Sequence, residues 1–245
     1  MSKPKRTCVC IVSGGMDSTV LAYYMREKGF DLKLLSFDYG QRHKKELDFA
    51  KWTAVSLDVE HYIVDITNIT HLISNSALTN PSIPVPEGHY TAESMKATVV
   101  PNRNAIMLSI AYGYAVSISA QGLVCGVHAG DHAIYPDCRP MSIEMLDSAF
   151  WHCNEGFGSP DLRLQAPFVT KTKADIVAIG YALKVPFEHT WSCYNGDTVH
   201  CGLCGTCVER REAFDLAGVT DPTIYRAQGL SRGLELEITD DDIPF

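Results

Sequence analysis

Four cysteines towards the end of the chain, Cys193, Cys201, Cys204 and Cys207, are spaced C-x7-C-x2-C-x2-C. Four thiolates so close in sequence suit tetrahedral zinc, and Gly202 and Gly205 permit the tight turns between them. A four-thiolate shell leaves no open coordination position, so a metal held there is structural. An iron–sulfur reading needs a further C-x3-C-P run, which is missing. At the other end, Ser13-Gly14-Gly15-Met16-Asp17-Ser18 stands between an apolar run and a helical pattern. Glycines in such a turn let the backbone approach a phosphate, and the helix start offers free N–H groups and the positive end of its dipole. The hydroxyls of Ser13 and Ser18 add donors. Asp17 suits an anion site only with a divalent cation between it and the phosphates. The loop has no Gly-Lys-Ser/Thr and is not a Walker A loop.

Other polar groups stand where apolar runs end. Phe37 to His43 brings Tyr39, able to stack on a base, and the donors of Gln41 and Arg42. Val100-Pro101-Asn102-Arg103-Asn104 opens a helix. An arginine at that end opposes the helix dipole, so Arg103 is expected to have an anionic partner, a phosphate or a carboxylate. Gly126 to His132, then Tyr135-Pro136-Asp137-Cys138-Arg139-Pro140, is rich in groups that read a heterocycle's edge. His128 and His132 are four apart, but Gly130 argues against a helix that would pair them on a metal. Cys138 is either a nucleophile or a small buried side chain. Lys173 at a helix start can neutralise phosphates as a point charge; Lys171 reads as solvated. The other five cysteines default to core packing.

The elements that must position these groups alternate. Strands are predicted over Thr7–Val12, Leu32–Phe37, His61–Ile66 and Leu123–Val127. Helices are predicted over Asp17–Lys28, Lys44–Leu57, Arg103–Ile118, Met141–His152 and Thr172–Leu183, the last opened by a Thr172/Asp175 capping pattern. Such alternation means an α/β fold with a parallel sheet and helices on both faces. Two stretches break the pattern. Asn75–Val100, with Pro81, Pro84 and Pro86, is expected to be a lid or binding loop without structure of its own. The second is the Cys- and Gly-dense run Cys193–Cys207. The acidic tail Glu235–Phe245 is expected to be loose.

The chain has 245 residues and is 46% hydrophobic, enough for a sizeable core, which excludes global disorder. Its formal charge of −8 argues against a protein whose work is gripping nucleic acid. The first residues lack the apolar stretch of a signal peptide, and no stretch is apolar enough to span a bilayer. The chain is therefore expected to be cytoplasmic; nine cysteines are many for that compartment, where disulfides are disfavoured, so a cluster among them points first to metal binding or catalysis.

S-G-G-x-D-S after a first strand resembles the pyrophosphatase loop of ATP-dependent enzymes that adenylate a substrate. F-D-Y-G-Q-R-H, S-I-P-V-P, V-P-N-R-N, Y-P-D-C-R-P, T-K-A-D and S-C-Y-N-G…C-x2-C-x2-C then follow in the order of one family. The chain resembles the QueC family of 7-cyano-7-deazaguanine synthases over nearly its whole length. That resemblance implies a Rossmann-like sheet of the adenine nucleotide alpha hydrolase type, with a C-terminal zinc site. It places a nucleotide-binding domain over 1–188 and a zinc-binding subregion over 189–245, packed on the same domain. It implies a homodimer, and conversion of 7-carboxy-7-deazaguanine and ammonia to the nitrile with ATP and Mg2+. On the matching positions, Ser13, Gly14, Gly15, Met16, Asp17, Ser18 and Thr19, with Tyr39, Gln41 and Arg103, would bind ATP. Arg103, Tyr135, Asp137 and Arg139 would bind the substrate, and Asp17, Lys173 and Arg139 would serve the chemistry. One departure is Met141-Ser142-Ile143-Glu144 where many members have Glu-Phe and a regular helix. It keeps open a paralogue that stops at the amide or passes the acyl group to another amine, such as a protein N-terminus.

Overall fold

The computed structural model describes residues 6–73, 75–88, 95–195 and 198–226. Five strands form one parallel sheet in the order β3-β2-β1-β4-β5: β1 Thr7–Ile11, β2 Asp31–Asp38, β3 Glu60–Asp65, β4 Gly122–Val124 and β5 Leu164–Gln165. The central strand β1 is TCVCI, with Cys8, Val9 and Cys10 fully buried. Side chains alternate across a strand. Cys8 and Cys10 therefore join the cluster on one face and Val9 the cluster on the other.

The helices are α1 Met16–Glu27, α2 Lys45–Leu57, α3 Arg103–Ser117, α4 Pro140–Cys153, α5 Lys173–Ala182 and α6 Gly205–Ala217. Val20, Leu21, Ala50, Ile176 and Phe214 bring α1, α2, α5 and α6 onto the Cys8/Cys10 face. Leu108, Ala111, Ala115 and Ile143 bring α3 and α4 onto the Val9 face. A parallel sheet covered on both faces explains why its central strands are nearly continuous apolar runs. Helix α5 opens as its sequence predicts. Thr172 Oγ1 accepts from the Asp175 N–H at 3.2 Å, and Asp175 Oδ2 accepts from the Thr172 N–H at 2.8 Å.

Three expectations change. The fourth strand ends at Val124, not Val127, because the chain leaves the sheet at Gly126 to pass over the start of α1. A Cβ there would lie 3.2 Å from Ser18 Cα. The Cys-rich run is not wholly irregular: Cys204 is the N-cap of α6, and Cys207 lies in its first turn. The described part of 75–100 is packed. Ala77, Leu78, Val85 and Met95 are buried, the Ala77 N–H donates to Ala97 O at 2.7 Å, and the Gly88 N–H donates to Leu203 O at 2.9 Å. The expected loose tail lies outside the described residues.

Helix α6 is anchored by Arg210, a fully buried arginine. Its guanidinium donates to Thr190 Oγ1 at 2.7 Å and to Phe187 O at 3.0 Å, and it pairs with Asp221 at 3.2 Å. Asp221 also accepts from Tyr225 Oη at 2.6 Å. Burial raises the Asp221 carboxyl, but Arg210 together with the hydrogen bonds from Tyr225 and Thr223 outweighs it and holds the carboxyl below its usual range. Removing one partner of such a buried pair leaves an uncompensated charge. Arg210→Met is therefore expected to cost about 3–5 kcal/mol of stability in urea unfolding, and a loss below about 1 kcal/mol would show the network to be dispensable.

Candidate active site

Strand order reverses between β1 and β4, and open parallel sheets bind ligands at such switch points, beyond the strands' C-terminal ends. A cavity of about 270 Å³ lies there. Its floor is the loop from Ser13 to Ser18. Two serines brace that loop from within: Ser18 Oγ accepts from the Ser13 N–H at 3.1 Å, and Ser13 Oγ accepts from the Gly15 N–H at 3.2 Å. Gly14 has φ +86°, and a Cβ on it would lie 1.9 Å from the Glu46 carbonyl oxygen. Only glycine lets the loop pass so close under α2. Gly15 is the N-cap of α1 and makes no side-chain cap bond. Met16 is buried beneath the loop and also lines the cavity.

Charged groups gather over the start of α1. Lys173 Nζ lies 2.6 Å from Glu209 Oε2 and 3.5 Å from Asp17 Oδ2. Burial opposes the charge on Lys173, but the two carboxylates outweigh it and hold the ammonium above its ordinary value. His128 is buried, and its Nδ1 accepts from the Gly130 N–H at 3.1 Å. The neutral ring therefore carries its proton on Nε2, which faces Asp131 Oδ1 at 3.6 Å and Asp17 Oδ2 at 3.8 Å. Burial raises the Asp131 carboxyl, with His128 and Lys173 pulling it back. Asp17 Oδ1 is buried and has no hydrogen-bond partner. An orphaned carboxylate oxygen at the start of α1 fits a hard cation such as Mg2+.

The other end of the cavity is aromatic. Tyr39, Tyr135 and Tyr194 line it with Arg103 and Glu46. The Arg103 guanidinium lies 5.5 Å over the Tyr39 ring and donates to Tyr39 Oη at 3.2 Å. Tyr135 Oη is 2.7 Å from Thr98 Oγ1. Burial pushes the Glu46 carboxyl up to about 7, against the pull of Arg103. The Cys138 thiol also lines the cavity, and burial raises it well above its ordinary value, which suits packing rather than nucleophilic attack.

Four expected site residues are placed differently. Thr19 is fully buried with its hydroxyl 3.5 Å from Thr53 Oγ1, inside the core. Gln41 lines the cavity, but its amide is bonded to its own turn: Oε1 accepts from the Tyr39 N–H at 2.9 Å and Nε2 donates to Phe37 O at 3.2 Å. Asp137 turns its carboxylate to the Asn104 N–H at 3.1 Å, outside the cavity wall. Arg139 is exposed and donates to His132 O at 2.9 Å, again outside that wall. Glu46, Thr206 and Glu209 line the cavity although no sequence motif marks them, and Asp131 and Tyr194 line it from within motifs that gave them no individual role. Thr206 and Glu209 lie on α6, which the sequence reading did not contain.

The cysteines converge. The sulfurs of Cys193, Cys201, Cys204 and Cys207 lie within 4.8 Å of one another, with Cys193–Cys204 at 3.9 Å and Cys201–Cys207 at 4.0 Å. A tetrahedron with metal–sulfur bonds of ~2.3 Å has edges of about 3.8 Å. Backbone N–H groups of Cys201 and Cys204 point at Cys193 Sγ and Cys201 Sγ at 3.2 and 3.3 Å, as acceptor thiolates require. These residues can hold a metal.

The family profile described as "Queuosine biosynthesis protein QueC" matches residues 7–218. The chain is 56% identical over 215 residues to the 7-cyano-7-deazaguanine synthase of Allorhizobium ampelinum, covering 88% of this chain and 90% of that protein. It is also 56% identical over 215 residues to the 7-cyano-7-deazaguanine synthase of Brucella ovis, covering 88% and 91%.

The placement of Glu46 gives a pH signature. A carboxyl whose folded value is raised adds stability while protonated, and that contribution is lost as pH rises towards 7. Without ligand, Glu46→Gln is expected to melt with the parent chain near pH 4.5 and above it at pH 8. An equal Tm difference at both pH values would show that Glu46 does not titrate in this way.

Proposed function

The chain belongs to the QueC family, and from that premise we propose that it forms 7-cyano-7-deazaguanine from 7-carboxy-7-deazaguanine, ammonia and ATP. The observation that carries this reading is one cavity with a phosphate-binding floor and an aromatic, Arg103-bearing far end. Such a cavity seats a nucleotide's phosphates beside a heterocyclic carboxylate. The comparisons favour the nitrile over an amide or a protein conjugate, since the similar proteins carry the name of the nitrile synthase.

The chemistry then runs in two rounds. A carboxylate oxygen attacks the α-phosphorus of ATP, and pyrophosphate leaves. Ammonia attacks the acyl carbon, its nitrogen gives up one proton to solvent, and AMP leaves with that oxygen, giving the amide. The amide oxygen attacks a second ATP, and pyrophosphate leaves again. Loss of AMP and of both N–H protons from the amide nitrogen gives the nitrile. Backbone N–H groups of the loop and the Lys173 ammonium stabilise charge developing on the phosphates. Asp17, through its orphaned oxygen, would hold Mg2+, which neutralises phosphate charge. Arg103 would fix the substrate carboxylate or a phosphate, and Tyr39 and Tyr135 offer faces to the rings.

Zinc is the metal that four thiolates at these separations suit, in a closed shell beside the cavity. Helix α4 buries Ile143 while Met141 and Met145 stay more than half exposed, a face suited to a second copy of the chain. No helix among the described residues is long and apolar enough to cross a membrane. None of the nine cysteines is in a disulfide, which supports a reading in a reducing compartment such as the cytoplasm. Substrates are small molecules in this reading; with a charge of −8, nucleic acid is not among the partners.

Two measurements check these statements. With 7-carboxy-7-deazaguanine carrying 18O in both carboxylate oxygens, product analysis is expected to show nitrile only with ammonium, and two AMP per nitrile, each labelled. One labelled AMP with amide as the end product would overturn nitrile formation. Native mass spectrometry is expected to show two chains with two zinc ions. A monomer, or a metal other than zinc, would correct the corresponding assignment.

A further inference from the structure

Helix α3 begins without a cap of its own. Its N-cap residue, Asn102, is in the left-handed conformation (φ 57°) and makes no side-chain cap bond. The first helical residue is Arg103, whose positive charge faces the positive end of the helix dipole. The missing cap comes from elsewhere in the chain. Asp137 Oδ2 accepts from the Asn104 N–H at 3.1 Å, and Asn104 Nδ2 reaches Cys138 Sγ at 3.1 Å. The turn that carries Asp137 is itself held: the Cys138 N–H donates to Tyr135 O at 3.0 Å, and Ser142 Oγ donates to Pro136 O at 2.7 Å. Its neighbours Tyr135 and Cys138 line the cavity while Asp137 does not.

We propose that Asp137 is a positioning residue, whose carboxylate caps α3 in trans and so fixes Arg103 in the cavity wall. The carboxylate supplies an N–H acceptor and a negative charge at the helix end where Arg103 supplies a positive one. Arg103 is then free to face Tyr39 and the ligand. The proposal rests on the reading of Arg103 as a ligand contact, and it replaces the expectation that Asp137 reads the substrate's edge directly.

The two roles separate in one experiment on the full-length enzyme with ATP, Mg2+, ammonium and the carboxylate substrate. Asparagine caps a helix about as well as aspartate, whereas alanine does not. Asp137→Asn is expected to keep kcat/KM within about 3-fold of the parent, and Asp137→Ala to lower it about 10-fold, within the ~3- to 30-fold range that loss of a cap spans. In an Arg103→Lys background, Asp137→Ala is expected to cost less than about 2-fold further, because residues acting through one another are not additive. Equal losses in the asparagine and alanine variants would overturn the proposal in favour of direct recognition. Equal alanine losses in both backgrounds would overturn the link to Arg103. If the alanine variant does not fold, by circular dichroism, the asparagine variant still decides: a loss beyond about 10-fold overturns the proposal. A parent chain that releases no AMP would instead sink the reading of the site, before any variant is compared.

Discussion

The peptide at Gly14 is where the parts of the molecule meet. Its backbone passes so close under α2 that a side chain would collide with the Glu46 carbonyl and the Ala50 nitrogen. Its own carbonyl accepts from the Trp191 N–H at 2.9 Å, which ties it to the segment leading into the cysteines. The next residue caps α1. One residue without a Cβ therefore sets the 13–18 loop, the first turn of α2 and the approach to the four clustered cysteines against one another. Glu46 enters the cavity wall because of this contact, since it lies in the turn of α2 that the loop touches. The loop's self-bonded serines then hold its N–H groups in place without help from a ligand.

The cysteine set belongs to the same construction. Cys204 and Cys207 flank the first turn of α6, so the residues that would bind the metal also fix where that helix begins. Between them, Thr206 faces the cavity, and one turn later Glu209 meets Lys173. Arg210, beside Glu209, points the other way into the core and holds the helix by Asp221, Thr190 and Phe187. A structural metal here is thus not remote from chemistry. It would set the register of a helix whose one face carries a partner of the cavity's lysine and whose other face carries a buried ion pair. Burying a charged arginine is costly, and the return is a single position for α6.

Much of this was legible in the residue pattern, and the gaps have definite causes. Strand and helix order followed from periodicity, and the Thr172/Asp175 box from local chemistry, because both depend on near neighbours in sequence. The four cysteines were legible from spacing alone. Helix α6 was not, since its first turn reads Gly-Thr-Cys, and ligand spacing hides a helix start. Arg103 announced itself as a cation at the wrong end of a helix, and its partners proved to be the Tyr39 ring and hydroxyl and the field of Glu46. Asp137 and Arg139 sit in a motif rich in polar groups, but a motif carries no direction. Only the fold turns one carboxylate to the end of α3 and one guanidinium to a surface carbonyl. Glu46 looks like any polar residue of a helix's first turn, and its character comes from burial beside a residue distant in sequence.

The charges explain how an acidic chain can hold anionic ligands. At the phosphate end, Asp17, Asp131 and Glu209 face one ammonium, Lys173, and a histidine whose neutral ring carries its proton on the side of two of those carboxylates. A bare triphosphate would meet more negative than positive charge there. The pairing with Asp17 and Glu209 keeps Lys173 charged despite burial, so the ammonium is fixed before a ligand arrives. Asp17 has an oxygen to spare. A divalent cation on that oxygen would reverse the local balance and leave Lys173 to share the remaining phosphate charge. In the proposed reading the cavity would therefore suit a metal-bound nucleotide better than the nucleotide alone, and the acidic residues would make that distinction.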